Sequence, residues 1–272
     1  MRLFLVLLSF LLVTFVNGQD SRVQRLDSLL QQLEQKGDFN GNVLIASGDK
    51  IIFERSIGMA EFPTGRKLTS STVFELASVS KQFTAMGIMI LQQKGKLSYA
   101  DSLRKFFPEL PYTGITIRQL LNHTSGLPDY MDLMSKNWDS TRIATNKDML
   151  ALLAAKAPPA LFTPGSKWEY SNTGYAVLAS VIEKVSGKSY GDFLQKEIFK
   201  PLGMASTRVF RRRYEKRMLP DYALGYIPDT VTRKPSLPDS VAATASMVYP
   251  MEGIVGAGPV NSTTGDVLKG PV

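Results

Sequence analysis

Two short segments carry residues whose types and spacing suit nucleophilic catalysis. Ser78-Val79-Ser80-Lys81 places a hydroxyl and an ammonium at positions i and i+3, at the start of a helical stretch marked by Phe83, Met86 and Ile90. Such positions share a helix face, so the two groups can touch. A serine hydroxyl is a poor nucleophile until a neighbour takes its proton, and a lysine amine can do so. A helix start also directs backbone N–H groups at developing negative charge, so the Ser78 N–H could form half of an oxyanion hole. Taken alone, S-x-x-K equally suits a capping serine beside an exposed lysine. The second segment is Tyr170-Ser171-Asn172, between Pro164-Gly165 and a helical stripe of Tyr175, Leu178, Ile182 and Val185. In extended backbone, residues i and i+2 point the same way, so Tyr170 and Asn172 can enter one cleft. A phenol near a cation ionises more readily and can relay a proton, and an asparagine amide suits a substrate amide. A core tyrosine beside a helix-capping asparagine is the alternative. His123 is the sole histidine. It invites a Ser-His-Asp triad, yet Asn122-His123-Thr124-Ser125-Gly126 reads as a helix end, where the imidazole shapes a turn. It has no partner histidine or cysteine for a metal, and neither metal nor cofactor is expected.

These residues need elements to position them. Val23, Leu26, Leu30 and Leu33 predict a first helix, ended by Gly37. Gly41 to Ser56 reads as a β-hairpin, with one apolar stretch (Val43, Leu44, Ile45), a Gly48-Asp49 turn and a second apolar stretch (Ile51, Ile52, Phe53). Pro63 to Ser71 is rich in turn residues. Helices then follow: one from Ser78 to a stop at Gly95, one around Met149 to Ala155, one ended by Gly187, and one carrying Phe193, Leu194 and Ile198 and stopped at Pro201. Arg211 to Pro250 has few periodic signals and reads as a long excursion. The pattern is α+β, with a mainly helical region over residues 76–250.

The chain has 272 residues, 44% hydrophobic and 21% charged, which suits a folded core and excludes disorder as its main description. The net charge of +8 is dispersed, apart from Arg208, Arg211, Arg212, Arg213, Lys216 and Arg217. That cluster reads as a solvated loop lip, with contact to an anionic envelope surface as the alternative. There is no zinc-finger spacing and no aromatic-basic interleaving, so nucleic acid is not an expected partner. Arg2, the apolar run Leu3 to Val16, and Gly18 read as a secretory signal peptide cleaved after Gly18, with an uncleaved N-terminal anchor as the alternative, for which the run is short. The mature chain, residues 19–272, is then expected to be periplasmic or secreted, with no membrane span. With no cysteine, disulfides, thiolate metal sites and lipid attachment at the cleavage site are excluded.

Several stretches resemble one family. Glu75-Leu76-Ala77-Ser78-Val79-Ser80-Lys81-Gln82-Phe83-Thr84-Ala85 is similar to the nucleophile segment of the class C beta-lactamase-like serine hydrolases. Ile115 to Leu127, Pro164-Gly165 with Tyr170-Ser171-Asn172 and Gly174-Tyr175, Pro201-Leu202-Gly203-Met204, and Gly256-Ala257-Gly258 with Ser262-Thr263 resemble its other hallmarks. The family includes class C beta-lactamases, D-Ala-D-Ala carboxypeptidases, D-amino-acid-specific peptidases and esterases. The resemblance runs from about Phe39 to the end. It implies a beta-lactamase/penicillin-binding-protein-like fold, an antiparallel sheet with a helical subdomain. It implies hydrolysis of a peptide, beta-lactam or small ester through an acyl-enzyme on Ser78, with Lys81 and Tyr170 moving protons and Asn172 orienting the substrate. Tyr170 stands where S-D-N enzymes have their serine, and no Glu-x-x-x-Asn follows, which favours the class C proton relay. One departure stands out: no Lys-Thr-Gly, Lys-Ser-Gly or His-x-Gly follows Asn172. The chain is therefore expected to lack the C-terminal strands of the sheet. An inert or penicillin-binding-only protein is the alternative function.

Overall fold

The computed structural model describes residues 21–229 and 234–270, so the stretch read as a signal peptide lies outside the described residues. Helix α1 (Ser21–Lys36) turns Val23, Leu26, Leu30 and Leu33 onto Val43, Phe53 and Ile57 of the hairpin. The hairpin strands β1 (Gly41–Ser47) and β2 (Lys50–Ile57) pair antiparallel around Gly48-Asp49, with a bulge at Ile45/Ala46. Among the described residues no third strand pairs with them. Ile45, Ile51 and Ile52 are exposed at 40%, 47% and 44%.

The turn-rich stretch holds a second small hairpin, β3 (Met59–Glu61) with β4 (Arg66–Lys67). Strand β5 (Phe74–Glu75) then leads into a 3₁₀ turn, Ala77–Ser80, and helix α2 (Lys81–Gln93). Short helices follow: α3 (Leu103–Phe106), α4 (Ile117–Leu121), α5 (Tyr130–Asn137) and α6 (Asn146–Lys156). Helix α7 (Asn172–Ser186) is the centre of the molecule, with every residue from Thr173 to Ile182 buried. A helix apolar all round must be covered all round, and α2 lies directly against it. Gly87 permits that approach, because a Cβ there would lie 2.8 Å from Ile182 Cδ1.

After α7 come α8 (Tyr190–Leu194), β6 (Arg208–Val209), α9 (Arg212–Glu215), and a third small hairpin, β7 (Ile227–Pro228) with β8 (Pro235–Ser236). Helix α10 (Ala242–Met251), strand β9 (Val260–Ser262) and helix α11 (Thr264–Leu268) complete the chain. The long excursion read from Arg211 to Pro250 thus contains the short α9 and most of the longer α10. The α10 sequence lacks an apolar stripe and carries Pro250 in the last turn, so helical periodicity could not reveal it.

Strand β9 is central in a three-stranded sheet of order β5-β9-β6, with Glu75 and Arg208 both opposite Asn261. The buried Asn261 amide donates to the carbonyls of Phe210 and Pro259, at 2.8 and 2.9 Å. This small sheet fixes the segment before β9 against the turn that follows β5.

Candidate active site

Strand β5 delivers the chain to Ala77, whose φ of +46° lies in the left-handed region that non-glycine residues rarely adopt. The 3₁₀ turn begins there. Ser78 is exposed, and Lys81 is buried, at 6%. The sequence expectation put Ser78 in the α-helix itself; the tighter turn eclipses i and i+3 and still brings the pair together. Lys81 Nζ donates to Ser78 Oγ at 3.1 Å, to Asn172 Oδ1 at 2.9 Å and to the Ala257 carbonyl at 3.1 Å. An ammonium has three protons, so its donor capacity is filled. Among the described residues no carboxylate pairs with it, and these neutral oxygens replace the water it loses on burial.

Tyr170 OH donates to Ser78 Oγ at 2.7 Å. Lys81 Nζ also lies 4.8 Å from the centre of the Tyr170 ring. Burial pushes the phenol pKa up, but Lys81 and the bond to Ser78 outweigh it and hold the phenol below its ordinary 10. Ser171, rather than Asn172, caps α7: its Oγ accepts from Gly174 N at 3.0 Å. Asn172 lines the cleft, with Oδ1 taken by Lys81 and Nδ2 3.7 Å from Met131 Sδ. The structure thus brings Ser78, Lys81, Tyr170 and Asn172 into one cluster.

His123 follows α4 with φ +59°. Its Nδ1 accepts from Ser171 N at 3.0 Å, and its carbonyl accepts from Glu169 N at 2.8 Å. Its ring stacks on Tyr170 at 4.7 Å and tilts against Tyr175 at 5.0 Å. Burial, then the charge on Lys81, push its pKa below 6.5. The hydrogen-bond partners of Ser78 are Lys81 and Tyr170, so no Ser-His pair forms.

The Beta-lactamase family model matches residues 26–270. The chain belongs to this family. Penicillin-binding protein 4* of Bacillus subtilis (strain 168) is 45% identical over 251 residues, 92% of this chain and 55% of that protein. The chain spans about half the length of the curated relatives it matches. Two solved structures show the same fold. The penicillin-binding protein from Bacillus halodurans superposes with TM-score 0.75 at 29% identity, over 88% of this chain and 70% of that one. D-amino acid amidase from Ochrobactrum anthropi SV3 gives TM-score 0.70 at 27% identity, over 90% and 68%. The Beta-lactamase fold expected from the motifs is therefore the fold present.

In this Beta-lactamase-family chain the cleft beside Ser78 is walled by Glu75, Tyr130, Arg212, Arg213, Tyr222 and Ala257. The two arginines correct the reading of a solvated lip. Arg212 and Arg213 both reach Asp239 at 2.9 Å, Arg213 also pairs with Glu252, and their side chains are only 21% and 16% exposed. Burial pushes the Asp239 carboxyl up, but Arg213 and Arg212 win and hold it at about 2. Glu75 also lies at this wall, with Tyr222 OH donating to its carboxylate at 3.2 Å. Sequence reasoning singled out neither Glu75 nor the Ala257 carbonyl. Glu75 lay in plain view, three residues before the nucleophile at the end of an extended stretch. A backbone carbonyl leaves no mark in a sequence.

Proposed function

We propose that this chain is a serine hydrolase that cleaves an amide or ester through an acyl-enzyme on Ser78. One observation carries the reading: a single hydroxyl, at a cleft, is bonded by both a buried lysine and a tyrosine whose phenol ionises more easily than usual. In acylation the Ser78 oxygen attacks the substrate carbonyl. With Tyr170 in its ionised form beside Lys81, the Ser78 proton passes to the phenolate oxygen and then to the departing amine or alcohol. Water next attacks the acyl group, Tyr170 beside Lys81 takes its proton, and that proton returns to the departing Ser78 oxygen. Lys81 stabilises the charge on the phenol and Asn172 holds Lys81 in place; the Asn172 Nδ2 group orients the substrate. The names of the relatives support amide-like substrates, peptide or beta-lactam, with small esters as the other class. The apolar run at residues 3–16 supports export, with residues 19–272 as the working domain outside the cytoplasm. No helix among the described residues is long and apolar enough to cross a membrane.

A second reading is acylation without turnover. It is favoured by the names of the relatives, penicillin-binding proteins, which describe binding rather than hydrolysis. Intact mass measurement after exposure to a fluorescent penicillin and a fluorophosphonate separates the two. An adduct lost in Ser78→Ala, with nitrocefin or p-nitrophenyl ester turned over repeatedly, supports hydrolysis. A stable stoichiometric adduct supports the second reading, and labelling that persists in Ser78→Ala removes Ser78 from the chemistry.

A further inference from the structure

His123 takes no part in the acyl transfer proposed for Ser78, yet it holds Tyr170, which does. Its contacts are specific. One ring nitrogen accepts the Ser171 amide, immediately after Tyr170. The ring face lies on the phenol at an interplanar angle of 28°. Its carbonyl takes the Glu169 amide, immediately before Tyr170. The backbone on both sides of Tyr170 is therefore tied to this one residue. Only an unprotonated Nδ1 can accept, so the neutral imidazole with its proton on Nε2 is the form that fits.

We propose that neutral His123 is the positioning residue of Tyr170, and that its protonation releases the phenol from Ser78 and silences the site. The proposal rests on the acyl-enzyme reading above. A protonated Nδ1 becomes a donor aimed at the Ser171 donor, so the bond is lost and the two N–H groups repel. The groups facing the imidazole offer no anion to offset the new charge. They are Lys81 from α2, Tyr170 and Trp168 from the loop before α7, and Tyr175 from α7. The nearby Glu169 carboxylate is paired with Lys167 at 2.7 Å. Burial and Lys81 act in the same direction, holding the imidazole below 6.5. The switch therefore operates on the acid side of neutrality.

The test uses the chain without a histidine tag, because its one histidine then gives a single imidazole signal. Long-range ¹H–¹⁵N spectra should show the Nε2–H tautomer, titrating below 6.5, with the Ser171 amide and the Tyr170 ring following the same midpoint. The rate of Ser78 labelling by a fluorophosphonate should fall at that midpoint as pH drops. His123→Ala should slow labelling about 10²-fold, the scale of an ångström-level misplacement. His123→Asn should restore it, since asparagine tolerates positive φ and presents an oxygen near the Nδ1 position. Having no titrating group there, it should also erase the acid fall. An Nδ1–H tautomer, a Tyr170 ring indifferent to the titration, or an unchanged acid fall in His123→Asn would overturn the proposal. If Ser78 labels in no variant, the hydrolase reading fails, while the tautomer and the Tyr170 response still decide the positioning claim.

Discussion

Lys81 is the residue on which the site turns, and its bonds explain what could be read in advance. Its contact with Ser78 is local, fixed by three positions of helical rotation, and the pairing of Tyr170 with Asn172 is fixed by alternation in extended backbone. Both were legible in the sequence. The Ala257 carbonyl was not, because nothing local links positions 81 and 257. Two predictions belong at this scale. Tyr170→Phe keeps the ring on His123 and removes the hydroxyl; Ser78 labelling should slow about 10²–10⁴-fold, the range for a positioned acid–base group. The phenol is held below 10, so its ionised fraction grows as pH rises through a value below 10. Labelling by the parent chain should therefore rise with pH in that range, and the rise should vanish in Tyr170→Phe. Lys81→Ala removes the ammonium that donates to Asn172 Oδ1 and the Ala257 carbonyl, and should abolish labelling nearly as completely as Ser78→Ala, because groups acting as one unit do not add.

Elements with strong local patterns were readable: α1, the β1-β2 hairpin, α2 and α7 all follow their apolar spacing. The β5-β9-β6 sheet and α10 were not. Strands of two or three residues carry too few alternations to register, and α10 has no stripe. What makes the sheet form is tertiary. Ser80 Oγ accepts from Val260 N at 2.9 Å, and Thr84 Oγ1 donates to the Gly256 carbonyl at 2.7 Å while taking the proton of Tyr190 OH at 2.6 Å. The turn and first helical turn bearing the nucleophile thus clamp residues 256–260. Gly256 has φ +105°, and a Cβ there would lie 2.3 Å from the Tyr175 carbonyl oxygen and 2.6 Å from Ala179 Cβ. Gly256→Ala should destabilise the chain by at least about 1–3 kcal/mol, the usual cost of forcing extra atoms into a packed interior. It should also slow Ser78 labelling even where the chain remains folded, by moving the adjacent Ala257 carbonyl off Lys81. Denaturant melts and labelling rates measured together check both effects.

Across the whole molecule, charge and edge set the expected behaviour. Asp239 is held at about 2 against an ordinary 3.8, so its depressed carboxyl contributes stability that is present above 3.8 and lost as pH falls through about 2. Asp239→Asn should flatten the stability profile between those values, as read by thermal melts in acid. Among the described residues no further strand pairs with the β1-β2 hairpin, and its isoleucines are exposed, so residues 1–272 taken alone present strand edges to another copy. Sedimentation should show concentration-dependent association, reduced in Ile51→Lys. The junction at Lys81 has a kinetic consequence as well. Its acceptors lie 91 and 176 positions along the chain. Closing such long loops costs entropy before any contact rewards it, so non-local contacts of this kind form slowly. A chemical probe of Ser78 added during refolding is thus a clock for the last closure: α7 and the hairpin can form early, but reactivity should return only when the 176-residue loop shuts.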